Sequence, residues 1–245
     1  MAQDKKVALI TGANRGIGFE TARQLGKKGI TVLVGARKLG DAEQTAAKLK
    51  AEGIDAHGVQ LDVTKAADRS AAEKYVAKTF GKLDILVNNA GIASSDGLAS
   101  RTSDTPDDEL LKVFQTNLFS VVALTREFLP LLKKSPAGRI VNLSSILGSL
   151  TLHADPQSPI AGFKNFAYNS SKSALNAYTI HLADELKGTS IKVNSAHPGW
   201  VKTELGTDAA PLEIPDGATT SVELALIGPE GPNGHFIHAG QELPW

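Results

Sequence analysis

Short apolar runs alternate along this chain with longer segments of helical period. Residues 7–10, 30–34, 59–63, 83–88, 139–144, 191–196 and 235–239 read as strands. The run Ile30-Thr31-Val32-Leu33-Val34 shows no in-and-out alternation, as expected of a strand buried on both faces of a parallel sheet. Between the strands, residues 17–28, 41–52, 66–80, 105–134 and 169–186 read as helices, and a shorter one is expected over 220–226. The first three end at Gly29, Gly53 and Gly81, which suit helix C-caps. This βαβαβ order with short connections predicts a doubly wound parallel α/β sheet of about seven strands, with helices on both faces. No shift of composition marks a linker, so residues 1–245 are expected to form a single domain, with irregular segments at 147–167 and 200–232.

The turn between the first strand and the first helix reads Thr11-Gly12-Ala13-Asn14-Arg15-Gly16-Ile17-Gly18. Glycines there allow a tight bend, bring backbone N–H groups against a phosphate and let the helix pack on the strand. The helix then points its positive end at the same anion. Gly12, Asn14, Arg15, Gly16, Ile17 and Gly18 are therefore candidate dinucleotide contacts, and the fold is read as Rossmann-type.

In an open parallel sheet the ligand lies beyond the carboxyl ends of the strands. After the second strand, near where a carboxylate would hold the ribose hydroxyls of NAD, Arg37 stands at the position of that acid's neighbour. With Arg15 it supplies two guanidinium groups suited to a 2′-phosphate, which favours NADPH/NADP+. After the third come Asp62 and Val63, and after the fourth Asn88-Asn89-Ala90-Gly91. Asp62 suits an adenine amino group, and the small Ala90 and Gly91 admit a ribose to the backbone. Alternatively, Asp62 caps the next helix and the two asparagines tie neighbouring loops together.

After the fifth strand stand Ser144-Ser145, and Tyr168 and Lys172 follow at i and i+4 on one helix face. That pair alone is a weak signal. The glycine turn, Asn-Asn-Ala-Gly, Ser-Ser, Tyr-x-x-x-Lys and Pro198-Gly199, in this order, resemble the short-chain dehydrogenase/reductase family from Val7 to about Thr203. The resemblance implies that Ser145 binds a carbonyl oxygen, Tyr168 transfers the proton, and Lys172 holds the nicotinamide ribose and lowers the phenol's pKa. Asn117 would position a water linking the lysine to solvent. The segment Pro198-Gly199-Trp200-Val201-Lys202-Thr203 is similar to one that binds the carboxamide, through Pro198, Gly199, Val201 and Thr203. His197 and Trp200 are further candidates for substrate contact. The 22 residues between Ser145 and Tyr168 exceed those of compact members and resemble the insert of carbonyl reductases. Such an insert fits a monomer that covers the helix face, or a homodimer or tetramer.

Composition narrows the alternatives. Twenty-six basic residues balance 26 acidic ones, which removes the footprint of a nucleic-acid binder. The absence of cysteine excludes disulfides and thiol catalysis. No apolar run reaches membrane length and residues 1–6 lack a signal-peptide pattern, so a cytoplasmic protein without membrane partners is expected. No metal is expected, since His235 and His238 would face opposite sides of a strand. The function expected is NADPH-dependent reduction of a small ketone or aldehyde. The alternatives are an NAD-linked secondary-alcohol dehydrogenase and an NADP-sensing regulator that has lost catalysis.

Overall fold

A computed structural model describes residues 5–94 and 101–245, so the first four residues of the stretch read as lacking a signal peptide lie outside it. Eight strands form one sheet in the order β3-β2-β1-β4-β5-β6-β7-β8. They are β1 (Val7–Thr11), β2 (Thr31–Ala36), β3 (Ala56–Gln60), β4 (Ile85–Asn88), β5 (Arg139–Leu143), β6 (Lys192–Ala196), β7 (Phe236–His238) and β8 (Gln241–Glu242). The first seven run parallel; β8, a two-residue hairpin return on β7, is antiparallel and had no periodicity to announce it.

Strand alternation splits the apolar runs between two cores. Val7 and Leu9 of β1 join one cluster, with Val76, Phe128 and Leu182; Ala8 and Ile10 join the other, with Leu25, Leu49 and Val222. The first cluster is covered by α3 (Ala66–Phe80), α5 (Ser120–Leu132) and α7 (Phe166–Glu185), the second by α1 (Gly16–Lys27), α2 (Leu39–Ala51) and α8 (Ile214–Leu226). This is why β1 is buried at all five positions. Strand order reverses between β1 and β4, which opens a crevice above their carboxyl ends.

The expected long helix over 105–134 is α4 (Asp107–Phe114) continuing into α5 through a π-helical turn at Gln115–Phe119. The segment 147–167 is less irregular than expected. It holds a 3-10 turn, Ile146–Gly148, capped by Ser145, and α6 (Leu150–Ala154), capped by Ser149. The expected short helix over 220–226 begins at Ile214, because Pro215 occupies its first turn, where a missing N–H costs nothing. Among the described residues no helix is long and apolar enough to cross a membrane.

Candidate active site

The sequence-predicted residues gather at the carboxyl ends of β1, β4, β5 and β6. Where the crevice opens, β1 and β4 are joined by side chains. The Thr11 hydroxyl accepts from the N–H groups of Asn89 (3.0 Å) and Ala90 (2.9 Å), and the Asn89 amide donates to the carbonyls of Thr11 (2.7 Å) and Gly12 (3.2 Å). Asn88 bonds Asn142 (2.8 Å), which ties β4 to β5 within the sheet, and it is Asn89 that joins the two strand exits.

The glycine turn leaves room for a ligand. Gly12 and Gly16 have φ of +62° and +56°, and a Cβ at Gly16 would meet only the Thr203 methyl, 3.8 Å away. A Cβ at Gly18 would clash with the Asn89 amide and stand 2.6 Å from the Gly12 carbonyl oxygen. The N-terminus of α1 has no side-chain cap and no acidic residue in its first turn. Asn14 and Ile17 lie in this same turn, whose features together fit a dinucleotide pyrophosphate. Arg15 points outward and pairs with Glu204, so it joins the turn to the segment after β6. Arg37 is exposed just past β2, with no acidic residue before Asp41.

Asp62 and Val63 lie beyond β3, which ends at Gln60 rather than at 63. The Asp62 carboxylate accepts from the Thr64 amide (3.1 Å) and hydroxyl (2.7 Å), a local turn before α3, whose N-cap is Lys65 without a side-chain cap, so Asp62 is not the helix cap. Burial would raise this carboxyl, but the Thr64 bonds and Lys65 hold it below its usual range.

Asn117 lies within the π turn, 1% exposed. Its side chain accepts from the Ile92 N–H (2.9 Å) and donates to the Ile92 carbonyl (2.9 Å) and the Ser171 hydroxyl (3.1 Å). It thereby fixes the chain just beyond Gly91, where a Cβ would stand 3.5 Å from the Lys172 ammonium nitrogen.

Ser145 follows β5, and its hydroxyl lies beside the Tyr168 phenol and draws the phenol's pKa down. It also accepts from the Leu147 N–H at 3.2 Å, which leaves the hydroxyl hydrogen to donate. Tyr168 sits in the first turn of α7, earlier than the expected helix start at 169. Asn165, a residue sequence reasoning missed, is the N-cap whose side chain accepts from the Tyr168 N–H at 3.0 Å. Asn three residues before the tyrosine was the available signal. One turn on, Lys172 Nζ lies 5.6 Å from the centre of the Tyr168 ring and donates to the Leu143 carbonyl at 2.8 Å.

Burial dominates the ionisation of both groups. It pushes the Tyr168 phenol up to about 12 despite the Ser145 hydroxyl beside it, and the Lys172 ammonium down to about 8. In the protein alone, desolvation therefore outweighs the expected lowering of the phenol by the nearby ammonium.

Pro198 and Gly199 turn the chain away from β6, with Gly199 at φ +85°. Val201 is 3% exposed and bridges to Leu212, while the Thr203 hydroxyl accepts from the Gly206 N–H at 3.1 Å. The two candidates for substrate contact diverge. Trp200 is exposed and its indole N–H donates to the Gly206 carbonyl at 2.7 Å, whereas His197 is buried and turned onto the Ser145 loop.

This sheet order, with a glycine turn after β1 and a Ser-Tyr-Lys cluster between β5 and α7, defines an oxidoreductase on a Rossmann-type fold. A family model for short chain dehydrogenase matches residues 6–212, and the chain belongs to that family. Carbonyl reductase (NADPH) 1 of Mus musculus is 33% identical over an alignment of 289 residues that covers 100% of both chains. The crystal structure of NADPH-bound carbonyl reductase from chicken fatty liver has a TM-score of 0.86 at 27% identity, covering 99% of this chain and 100% of that one. Salutaridine reductase from Papaver somniferum has a TM-score of 0.81 at 31% identity, covering 95% of this chain and 99% of that one.

Proposed function

We propose that this protein reduces a small ketone or aldehyde to the alcohol with NADPH. The observation that carries the reading is the cluster at the exit of β5: a Ser145 hydroxyl beside the Tyr168 phenol, with the Lys172 ammonium 5.6 Å from the same ring. The similarity to carbonyl reductases, one of them with NADPH bound, supports the choice of cofactor and reaction. Gly12, Asn14, Gly16, Ile17 and Gly18 would hold the pyrophosphate, Arg37 and Arg15 the 2′-phosphate, and Asp62, Val63, Asn89, Ala90 and Gly91 the adenosine half. Lys172, Tyr168, Pro198, Gly199, Val201 and Thr203 would hold the nicotinamide half.

When bound, NADPH supplies a hydride. The chain's own residues manage the proton and the developing negative charge. Tyr168, held protonated by burial, carries the proton that the carbonyl oxygen takes. Ser145, held through its oxygen by the Leu147 N–H, turns its own O–H toward that carbonyl oxygen and stabilises the charge that forms there. Lys172 keeps one N–H bond on Leu143 and has two more for ribose hydroxyls. Asn117 fixes the Gly91–Ile92 wall and holds Ser171 beside the lysine.

The test is NADPH consumption against aryl ketones, α-keto esters, aldehydes and quinones, repeated with NADH and with Tyr168→Phe. Turnover with NADPH that falls about 10²-fold or more in the variant, with NADPH binding retained, is expected. Turnover only with NADH would favour the secondary-alcohol dehydrogenase. NADPH binding without turnover on any substrate would favour the sensor.

A further inference from the structure

We infer that His197 is a positioning residue for Ser145: its imidazole continues the β5–β6 ladder past the point where the backbone of β6 leaves it. In the parallel pair, Leu143 lies opposite Ala196, and the Ser144 N–H donates to the Ala196 carbonyl at 2.8 Å. The next N–H of β5 that faces β6 belongs to Ile146, and its ladder partner would be the carbonyl of residue 198. The chain turns away there, at Pro198-Gly199, with Gly199 at φ +85°. In place of that carbonyl, the His197 side chain offers Nδ1, which accepts from the Ile146 N–H at 3.2 Å. The residues on either side of Ser145 are thus held by Ala196, the last residue of β6, and by His197 just beyond it.

The residue that carries the imidazole is itself fixed. The His197 backbone N–H donates to the Ile237 carbonyl at 2.8 Å, its backbone carbonyl accepts from His238 Nδ1 at 2.9 Å, and the two rings pack 4.7 Å apart. At 8% exposure the residue is buried, and burial, with His238 beside it, brings the ring down to about 3. It is therefore neutral at working pH, with its proton on Nε2 and Nδ1 free to accept. A neutral acceptor is what a buried N–H needs here. The inference rests on the role proposed for Ser145, whose hydroxyl must meet a carbonyl oxygen within a fraction of an ångström; a 1 Å misplacement costs about 10²-fold in rate.

The experiment compares His197→Leu and His197→Asn, alone and with Ser145→Ala. Asn places its Oδ1 near the position of Nδ1, so it restores the acceptor, while Leu fills the volume without it. His197→Leu is expected to lower kcat at least about tenfold with unchanged NADPH affinity, measured by cofactor fluorescence, and His197→Asn to recover most of it. In the Ser145→Ala background, His197→Leu is expected to add nothing. A readout independent of turnover is amide exchange by NMR: Ile146 is expected to be protected in the wild type and in His197→Asn, and unprotected in His197→Leu. Full activity in His197→Leu, an equal loss on top of Ser145→Ala, or an unprotected Ile146 in the wild type would overturn the inference. Absence of turnover in the wild type on every carbonyl would instead sink the proposed function, leaving the exchange result to judge His197.

Discussion

Replacing Lys172 with methionine should make the protein more stable at neutral pH. The ammonium is 5% exposed and burial brings it from 10.5 down to about 8. Keeping it charged at pH 7 therefore costs the fold roughly 3 kcal/mol relative to the unfolded chain. Methionine has similar length, buries without charge and leaves the Leu143 carbonyl without its 2.8 Å partner, a loss of about 1 kcal/mol. The net expectation at pH 7 is a gain of about 1–2 kcal/mol, or about 2–4 °C per kcal/mol in a chain this size. The sign changes with pH in a definite way. Between pH 8 and 10.5 the unfolded chain holds the lysine proton and the folded one releases it, so wild-type stability rises with pH across that window. Tyr168 acts in the opposite sense higher up: above pH 10 the unfolded phenol ionises while the folded one, at about 12, does not, and stability falls. Urea unfolding of wild type and Lys172→Met at pH 7 and at pH 10 measures the difference. An advantage for the variant at pH 7 that vanishes near pH 10 is expected. A variant less stable at pH 7, or a difference that does not change with pH, would refute the assignment of a buried, charge-penalised lysine.

Two further outcomes follow from the charged groups around the crevice. Arg37→Asp should move the ratio of kcat/KM for NADPH over NADH by about tenfold or more toward NADH, through loss of a charge-assisted hydrogen bond to the 2′-phosphate; an unchanged ratio removes Arg37 from that role. Glu204→Gln should tighten NADPH binding about two- to five-fold at low salt, because Glu204 pairs with Arg15 and a phosphate would compete for it. The same change in an Arg15→Ala background should do nothing, and an equal effect there would assign the result to general charge repulsion.

Most of the fold was legible because its strands are buried on both sides. Helix 66–80 was placed at its observed ends, since Gly81 caps it in the left-handed region and an alanine-rich run precedes it. The errors have local causes. Val59, Leu61 and Val63 are all buried, so their alternation suggested a strand to 63; the ladder stops at Gln60, and the loop beyond it simply continues to pack on the same core. Helix α8 was shortened because Pro215 reads as a breaker in sequence and acts as a first-turn residue in space. Helix α6 and the 3-10 turn span about one turn each and depend on the hydroxyls of Ser145 and Ser149, so they have no period to detect.

The site was legible as a set of residue types, and less so as a set of partners. Polar residues cluster at the strand exits for two reasons, and sequence alone does not separate them. Where a parallel ladder ends, N–H and C=O groups lose their neighbours, and side chains must replace them inside a buried layer. Thr11, Asn88, Asn89, Asn117, Asp62 and His197 meet that demand through hydrogen bonds to neighbouring chain, although the Asn88 Oδ1 is left without a partner. Ser145, Tyr168 and Lys172 sit in the same layer with donor capacity left over: a hydroxyl hydrogen, a phenol proton and two ammonium hydrogens. A residue at a strand exit thus becomes a candidate for chemistry when its hydrogen-bond capacity exceeds what the ladder's end requires. His197, which the sequence presents as a substrate contact, has its Nδ1 taken up at the end of the ladder, and its influence on the reaction passes through the Ile146 amide to Ser145.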